Sequence, residues 1–201
     1  MNYDNEMMKI INNLDYTPNL LLHSCCAPCS SACITRLKDY FNITIIYYNP
    51  NIEPYEEYEK RKQEQIRLIK LIDSKNKIDI IDCDYDNNIY HKITKGHEMD
   101  KEKGPRCYIC YKQRLEYTAK KAKELNFDYF STTLSVSPYK ISRWINEIGL
   151  DLMKEYNIKF LPADFKKKNG YKLSIELSNK YNLYRQNYCG CIYSKREVEL
   201  K

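Results

Sequence analysis

The residues with the most chemistry to offer are thiols. His23–Cys33 reads HSCCAPCSSAC, Cys107–Cys110 reads CYIC and Cys189–Cys191 reads CGC, while Cys83 stands apart. A zinc finger takes its four ligands as two close pairs at a regular separation, and these clusters do not follow that pattern. They also hold more thiols than one tetrahedral site accepts. Thiolates favour zinc, Cu(I) or iron-sulfur centres, and a [4Fe-4S] cluster accepts four cysteines that need not be consecutive. The inventory therefore permits a metal centre plus a separate reactive group. Cys26 to Cys29 is also a C-x-x-C at a strand-to-helix junction, an arrangement that lowers a thiol pKa in redox proteins. A thioredoxin-like reading leaves the other clusters without a role. Gly190 lets the chain turn tightly between Cys189 and Cys191, so these two either form a strained, readily reduced disulfide or both point inward as ligands. Cys33 and Cys83 lie in or beside expected core elements and read as packing residues.

Other groups stand near these clusters. His23 directly precedes the thiol pair and is either an acid beside a metal centre or a satisfied histidine at a strand end. TTLSVSPYK (Thr132–Lys140) offers hydroxyls and backbone N–H groups that suit an anion or sugar, or simply cap a helix. Asp164–Cys191 (DFKKKNGYKLSIELSNKYNLYRQNYCGC) combines three consecutive lysines with tyrosines and an Arg-Gln pair. Lys and Arg hold phosphates while Tyr stacks on unpaired bases, although a solvated helix face has the same composition. No G-K-S/T phosphate loop or G-x-G-x-x-G turn is present, which removes the common ATP and dinucleotide fingerprints.

The elements that must position these groups alternate. Asn19–His23 is a short apolar run ending at the first cysteine cluster, and Ser30–Tyr40 is patterned as a helix. Asn42–Pro50 is β-branched and aromatic, Glu56–Asp73 is a charged helix, and Lys77–Asp82 is a third strand. Cys107–Leu125 and Lys140–Ile148 read as helices around a fourth strand at Phe127–Thr132, and Ile158–Leu161 is a fifth. This alternation predicts a doubly wound α/β fold with a mostly parallel sheet flanked by helices, whose crevice lies beyond the carboxyl ends of the strands. The loops after the first, third and fourth strands then bring Cys25–Cys29, the 96–110 segment and the 133–138 segment together.

Size and charge bound the rest. A chain of 201 residues, 43% hydrophobic and 30% charged, suits a single domain that buries roughly 70% of its unfolded surface. Its apolar runs, such as Ile43–Tyr48, stop far short of the ~20 residues of a membrane span, and its N-terminus has no signal-peptide pattern. A cytosolic protein with no membrane partner is expected, where disulfide frameworks are rare. Residues 159–201 hold ten basic and four acidic residues, an excess equal to the net charge of +6 of the whole chain. A polyanion would meet this basic C-terminal segment first.

In this order, HSCCAPC, GPRCYICYKQRL, TTLSVSPYK and DFKKKNGY...LSIELSNKYNLYRQNYCGCIYS resemble one family, the QueH-type epoxyqueuosine reductases, over about residues 19–194. The resemblance implies a fold like the nucleotide alpha-hydrolase (HUP-like) group. It also implies an enzyme that reduces the epoxide of epoxyqueuosine to the cyclopentene of queuosine at the tRNA wobble position, the last step of queuosine synthesis, without cobalamin. By similarity Cys25, Cys26, Cys107 and Cys110 match metal-binding cysteines, and Cys189 with Cys191 matches a redox-active disulfide pair. A second arrangement puts a [4Fe-4S] cluster beside a mononuclear iron, with Cys25 and Cys29 partly serving the lone iron and Cys189 or Cys191 joining the cluster. Asp164 or His23 is expected to protonate the departing oxygen. Lys166, Lys167, Lys168, Lys172 and Arg185 become candidate contacts to the anticodon loop, with Tyr171 or Tyr184 stacking on a base, and an external electron donor is required. Two other readings compete. A tRNA thiolation enzyme needs an ATP loop such as S-G-G-x-D-S, which is absent, and a non-catalytic zinc or iron-sulfur RNA-binding module would bind without reducing.

Overall fold

The structure, a computed structural model, describes residues 1–199. Five strands, β1 (Asn19–His23), β2 (Asn42–Ile46), β3 (Ile78–Ile81), β4 (Tyr129–Thr132) and β5 (Lys159–Phe160), form one all-parallel sheet in the order β3-β2-β1-β4-β5. The expected doubly wound architecture is what the chain adopts. A parallel strand at the centre of such a sheet is covered on both faces, so it must be apolar throughout rather than alternating. β1 meets this condition, with Leu20, Leu21, Leu22 and His23 all buried.

The pleat divides those residues between two cores. Leu20 and Leu22 pack with Ile34, Leu37 and Phe41 on one face, the side of α2 (Ala27–Leu37). Leu21 packs on the other face with Leu115 and Ala119 of α5 (Pro105–Glu124) and Ile145, Ile148 and Leu152 of α6 (Ser142–Tyr156). α3 (Tyr55–Leu71) links β2 to β3. The chain order reverses between β1 and β4, and there the loops leaving the two strands diverge and open a crevice.

Several boundaries differ from the sequence expectation. β2 stops at Ile46 rather than Pro50: the Tyr47 N–H still reaches the Ile81 carbonyl at 3.4 Å, and the chain then leaves the ladder for a turn at Pro50 and Asn51. α2 begins at Ala27, directly after Cys26, and so draws the first cysteine cluster into its first turn. α6 runs to Tyr156, and Thr133–Val136 forms a short 3-10 turn. Four helices outside the expected alternation complete the structure: α1 (Tyr3–Asn12), α4 (Asn87–Ile93), α7 (Gly170–Lys180) and α8 (Ile192–Glu199). α7 is reached through a tight turn in which Lys168 and Asn169 adopt left-handed backbone. Gly170 closes that turn, because a Cβ there would stand 1.8 Å from the Phe165 carbonyl oxygen.

α1 docks through Met7 and Ile11 and through a charge pair. Asp4 Oδ1 accepts from Arg36 Nη2 at 2.6 Å, and the two side chains are 4% and 13% exposed. Removing one member of so buried a pair strands the other. Asp4→Ala is expected to lower unfolding stability by about 3 kcal/mol, measurable as a shifted midpoint in a denaturant titration with α2 and its core otherwise intact.

Candidate functional site

β1 ends at His23, and the next residues are the first thiols. Cys26 is the N-cap of α2, in extended backbone, with Ala27 and Pro28 opening the helix. Proline is tolerated there because the first N–H groups of a helix have no intrahelical partner. The one-residue step from Cys25 to Cys26 and the helical step to Cys29 bring the three Sγ atoms within 4.8 Å of one another, with Cys25 and Cys26 3.8 Å apart. Cys26 is lowered well below the ordinary thiol value by the sulfurs of Cys25 and Cys29, and Cys29 is raised by the same two neighbours. Of the three, Cys26 is the sulfur whose neighbours favour the thiolate.

The other two clusters come from the opposite side of the crevice. Cys107 and Cys110 lie in the first turns of α5, and Cys110 packs with Cys191, Tyr90 and Tyr193. Burial pushes Cys110 up to about 12, with Arg114 pulling the other way. Gly190 separates Cys189 and Cys191 with φ +131, and a Cβ there would meet Ile52 at 2.9 Å and the Arg61 guanidinium at 3.1 Å. This turn aims the two thiols differently. Cys189 Sγ accepts from Lys140 Nζ at 2.9 Å, whereas Cys191 is buried beneath α8, where the Ser194 N–H points to its sulfur at 3.5 Å. All nine cysteines are free thiols.

Between the first and third clusters lies a cavity of about 200 Å³, whose wall includes Cys25, Cys29, Cys189, Lys140, Tyr171 and Arg185 but neither Cys107 nor Cys110. A shallower depression of about 290 Å³ at the amino ends of the strands, lined by Asn42, Lys77 and Phe127 among others, contains no cysteine. The chemistry is concentrated in the first.

Sequence reasoning missed the cations. Arg61, Arg106 and Arg114 are each 1% exposed. Arg61 bonds Glu57 at 2.6 Å and the Cys189 carbonyl at 3.1 Å, and its guanidinium lies 4.9 Å over the Tyr188 ring. Arg106 donates to the carbonyls of His97, Glu98 and Asp100 and lies over Tyr193. Arg114 follows Cys107 and Cys110 by seven and four residues, a spacing that places all three along one helix face. That spacing is the signal that could have found it.

His23 is fully buried between two fixed partners. Nε2 lies 3.1 Å from the Tyr48 carbonyl, which can only accept, so Nε2 carries the proton. Nδ1 then accepts from the Thr132 hydroxyl at 2.9 Å, and that oxygen in turn receives the Leu134 N–H. Burial, reinforced by Arg114, lowers the ring to about 3. The ring is a neutral strut tying β1 to β4 and to the chain after β2, and it is not on the cavity wall. Asp164 is not on the wall either. It pairs with Lys166 at 3.5 Å, and Lys166 Nζ donates to the carbonyls of Ser135 and Lys140.

Of the remaining expected RNA contacts, Tyr171 and Arg185 reach the cavity, and Arg185 is steadied by the Ser174 carbonyl and Ser178 hydroxyl. Lys167 and Lys168 are exposed. Lys168 lies 3.8 Å from Asp4, and exposed Lys172 lies 3.8 Å from Glu176. Tyr184 is turned inward, its hydroxyl donating to Glu57, with Lys60 3.6 Å above its ring. Cys33 is buried in the first core on α2 itself, and Cys83 is half-buried beside the second core.

The model of the family described as "Epoxyqueuosine reductase QueH" matches residues 20–197. The chain belongs to this family. Proteins named epoxyqueuosine reductase QueH from Streptococcus pyogenes serotype M1 and Staphylococcus epidermidis are each 40% identical to it, covering 98% and 100% of this chain and 79% and 88% of theirs. The QueH of Thermotoga maritima is 33% identical, over 89% of this chain and 91% of its own. Among solved structures, one titled as a predicted subunit of tRNA methyltransferase from Methanocaldococcus jannaschii aligns with a TM-score of 0.46 and 18% identity, over 78% of this chain and 76% of that one. The QueH match spans all three cysteine clusters and both basic and hydroxyl-rich segments around the cavity. No helix among the described residues is long and apolar enough to cross a membrane.

The two roles open to His23 predict different outcomes on substitution. His23→Gln keeps a donor and an acceptor in the pocket and should preserve both fold and turnover. His23→Ala leaves the Tyr48 carbonyl and Thr132 hydroxyl unpaired and should cost about 2–4 kcal/mol. A glutamine variant that folds normally by thermal melting yet does not turn over would assign the ring to proton transfer instead.

Proposed function

We propose that this chain reduces the epoxide of epoxyqueuosine to the cyclopentene of queuosine in the tRNA anticodon loop, as a single 201-residue domain using an iron-sulfur centre and no cobalamin. The observation that carries the reading is one cavity walled by thiols of two cysteine clusters, Cys25, Cys29 and Cys189, with Cys110 of the third cluster packed against Cys191, in a chain of the QueH family. Removing the epoxide oxygen as water consumes two electrons and two protons, so the site must hold a redox centre, bind the nucleoside and supply protons.

The thiols suit such a centre. Cys25, Cys26 and Cys29 gather three sulfurs within 4.8 Å of one another, close enough for adjacent metal positions to draw on them. Arg114 Nη2 and Arg61 Nη2 are buried without hydrogen-bond partners among the described residues, as suits cations facing an anionic thiolate assembly. We assign Cys25 and Cys29, which face the cavity, to an open metal position. Cys26, Cys107, Cys110 and Cys191, set behind it, hold a [4Fe-4S] cluster, and Cys189 remains on the wall beside Lys140. When bound, such a centre supplies electrons drawn from an external donor and a Lewis-acid pull on the C–O bond.

The chain's own residues do the rest. Tyr171 offers a face on which the base stacks, and Arg185, held by α7, orients the ribose or its phosphate. Lys140 Nζ is a proton-bearing group on the cavity wall and is better placed to protonate the departing oxygen than His23 or Asp164. Lys167 and Lys168 lie beyond the rim on the turn before α7, where the RNA backbone would pass.

Anaerobic reconstitution, with iron and sulfide counted on the same sample, tests the centre. Product analysis of epoxyqueuosine-containing tRNA tests the reaction. A brown protein that forms queuosine without cobalamin is expected, with turnover reduced at least 100-fold in Cys25→Ala and Cys107→Ala. Intact turnover in either variant would overturn the assignment, and a colourless zinc protein that binds tRNA without altering it would favour a binding module.

The lysines divide by environment. Replacing Lys167 and Lys168 together with glutamine should weaken tRNA binding and flatten its dependence on salt, by a slope of about 0.7 to 0.9 for each phosphate no longer neutralised. Lys166→Gln should leave the salt slope unchanged and lower stability instead, as its ammonium serves internal carbonyls. Filter binding across a salt series distinguishes the two.

A further inference from the structure

Arg114 and Lys140 present an electrostatic problem that the protein's own acidic groups leave unsolved. Arg114 is 1% exposed and Lys140 8% exposed, and the two flank the buried Tyr111 ring at 6.0 and 5.7 Å. Arg114 Nε donates to the Cys110 carbonyl at 3.2 Å, while its Nη2 has no partner among the described residues. Among those residues neither cation is paired with a carboxylate, and the charges acting on Arg114 are chiefly those of Cys110, Cys189 and Cys25. The other two buried arginines are compensated differently, Arg61 by Glu57 and Arg106 by three carbonyls with Glu197 at 3.8 Å. An uncompensated cation in a low-dielectric interior is strongly unfavourable, so a counter-charge belongs among the sulfurs. Four thiolates outweigh the positive charge of an iron-sulfur core and make the whole a net anion.

We propose that Arg114, backed by Lys140, is the fixed counter-charge of the thiolate-bound centre and acts as a positioning residue that raises its reduction potential. The inference rests on the iron-sulfur reading above. Reduction of the centre moves one electron onto it from an external one-electron donor, with no bond made or broken. The added negative charge is stabilised by a cation nearby, and buried charges are poorly screened by salt. Arg114 suits this part because a guanidinium keeps its charge throughout.

The test uses the full chain, reconstituted anaerobically, as wild type, Arg114→Gln and Arg114→Lys. Iron and sulfide are counted per chain, and the midpoint potential is read by visible absorbance and electron paramagnetic resonance during dithionite titration. The expected result is a more negative midpoint in Arg114→Gln at undiminished iron content, with recovery toward the wild-type value in Arg114→Lys. Loss of iron in the folded glutamine variant but not in the lysine variant would also support a charge requirement. A glutamine variant with full iron and an unmoved midpoint overturns the inference while leaving the iron-sulfur reading intact, as does equal loss of iron from both folded variants. A wild-type chain that assembles no cluster overturns both. Should Arg114→Gln not fold, Lys140→Gln gives the same reading, a more negative midpoint supporting the inference and an unchanged one overturning it.

Discussion

The pairing of β1 with β2 on one side and β4 on the other is the constraint from which the site follows. Because every strand in the sheet is parallel, every strand ends on the same edge, and the segments that leave that edge share one space. β1 delivers Cys25, Cys26 and Cys29 to it, β4 delivers the 3-10 turn and Lys140, and the connection after β3 leads to α5 with Cys107 and Cys110. His23 reinforces the junction, since a neutral imidazole bonded to Thr132 and to the Tyr48 carbonyl ties the ends of the central strands together. Its place beside the thiols reflects the need to hold three chain segments in register.

Burial of thiols and cations together is the second feature of the site. A cysteine-lined interior with only apolar walls would keep its thiols protonated, the direction in which burial drives Cys110 against the pull of Arg114. Around the crevice the protein places Arg114 and Lys140 without a carboxylate partner among the described residues, and the cost of burying those charges is offset by anions among the thiols. The same arrangement accounts for Gly190. Any side chain there would press on Ile52 and Arg61, so glycine keeps the Arg61 guanidinium against the Cys189 carbonyl and sends the two flanking thiols in different directions.

The basic C-terminal third is not a uniform charged surface. Lys166 is consumed by internal carbonyls and Asp164, Arg185 is fixed to α7 at the cavity wall, and Lys167 and Lys168 project outward from the turn that Gly170 closes. Neighbouring residues of one charge run thus serve folding and surface electrostatics separately, because the turn points successive side chains in different directions.

The alternation of short apolar runs with helical patterns was enough to place all five strands, their parallel sense and the convergence of cysteine-bearing loops, since hydrophobic periodicity is a local property of the chain. The clusters themselves were equally legible, because thiols so spaced suit few other purposes, and the order of the motifs pointed to the family. What tertiary structure alone decided was which groups share an environment. Nothing local marks Cys191 as a neighbour of Cys110, Lys140 as the donor to Cys189 or His23 as a strut. Each of these depends on which segments meet at the switch point of the sheet, and hydrogen bonding and dielectric environment are set by those long-range neighbours rather than by residue type.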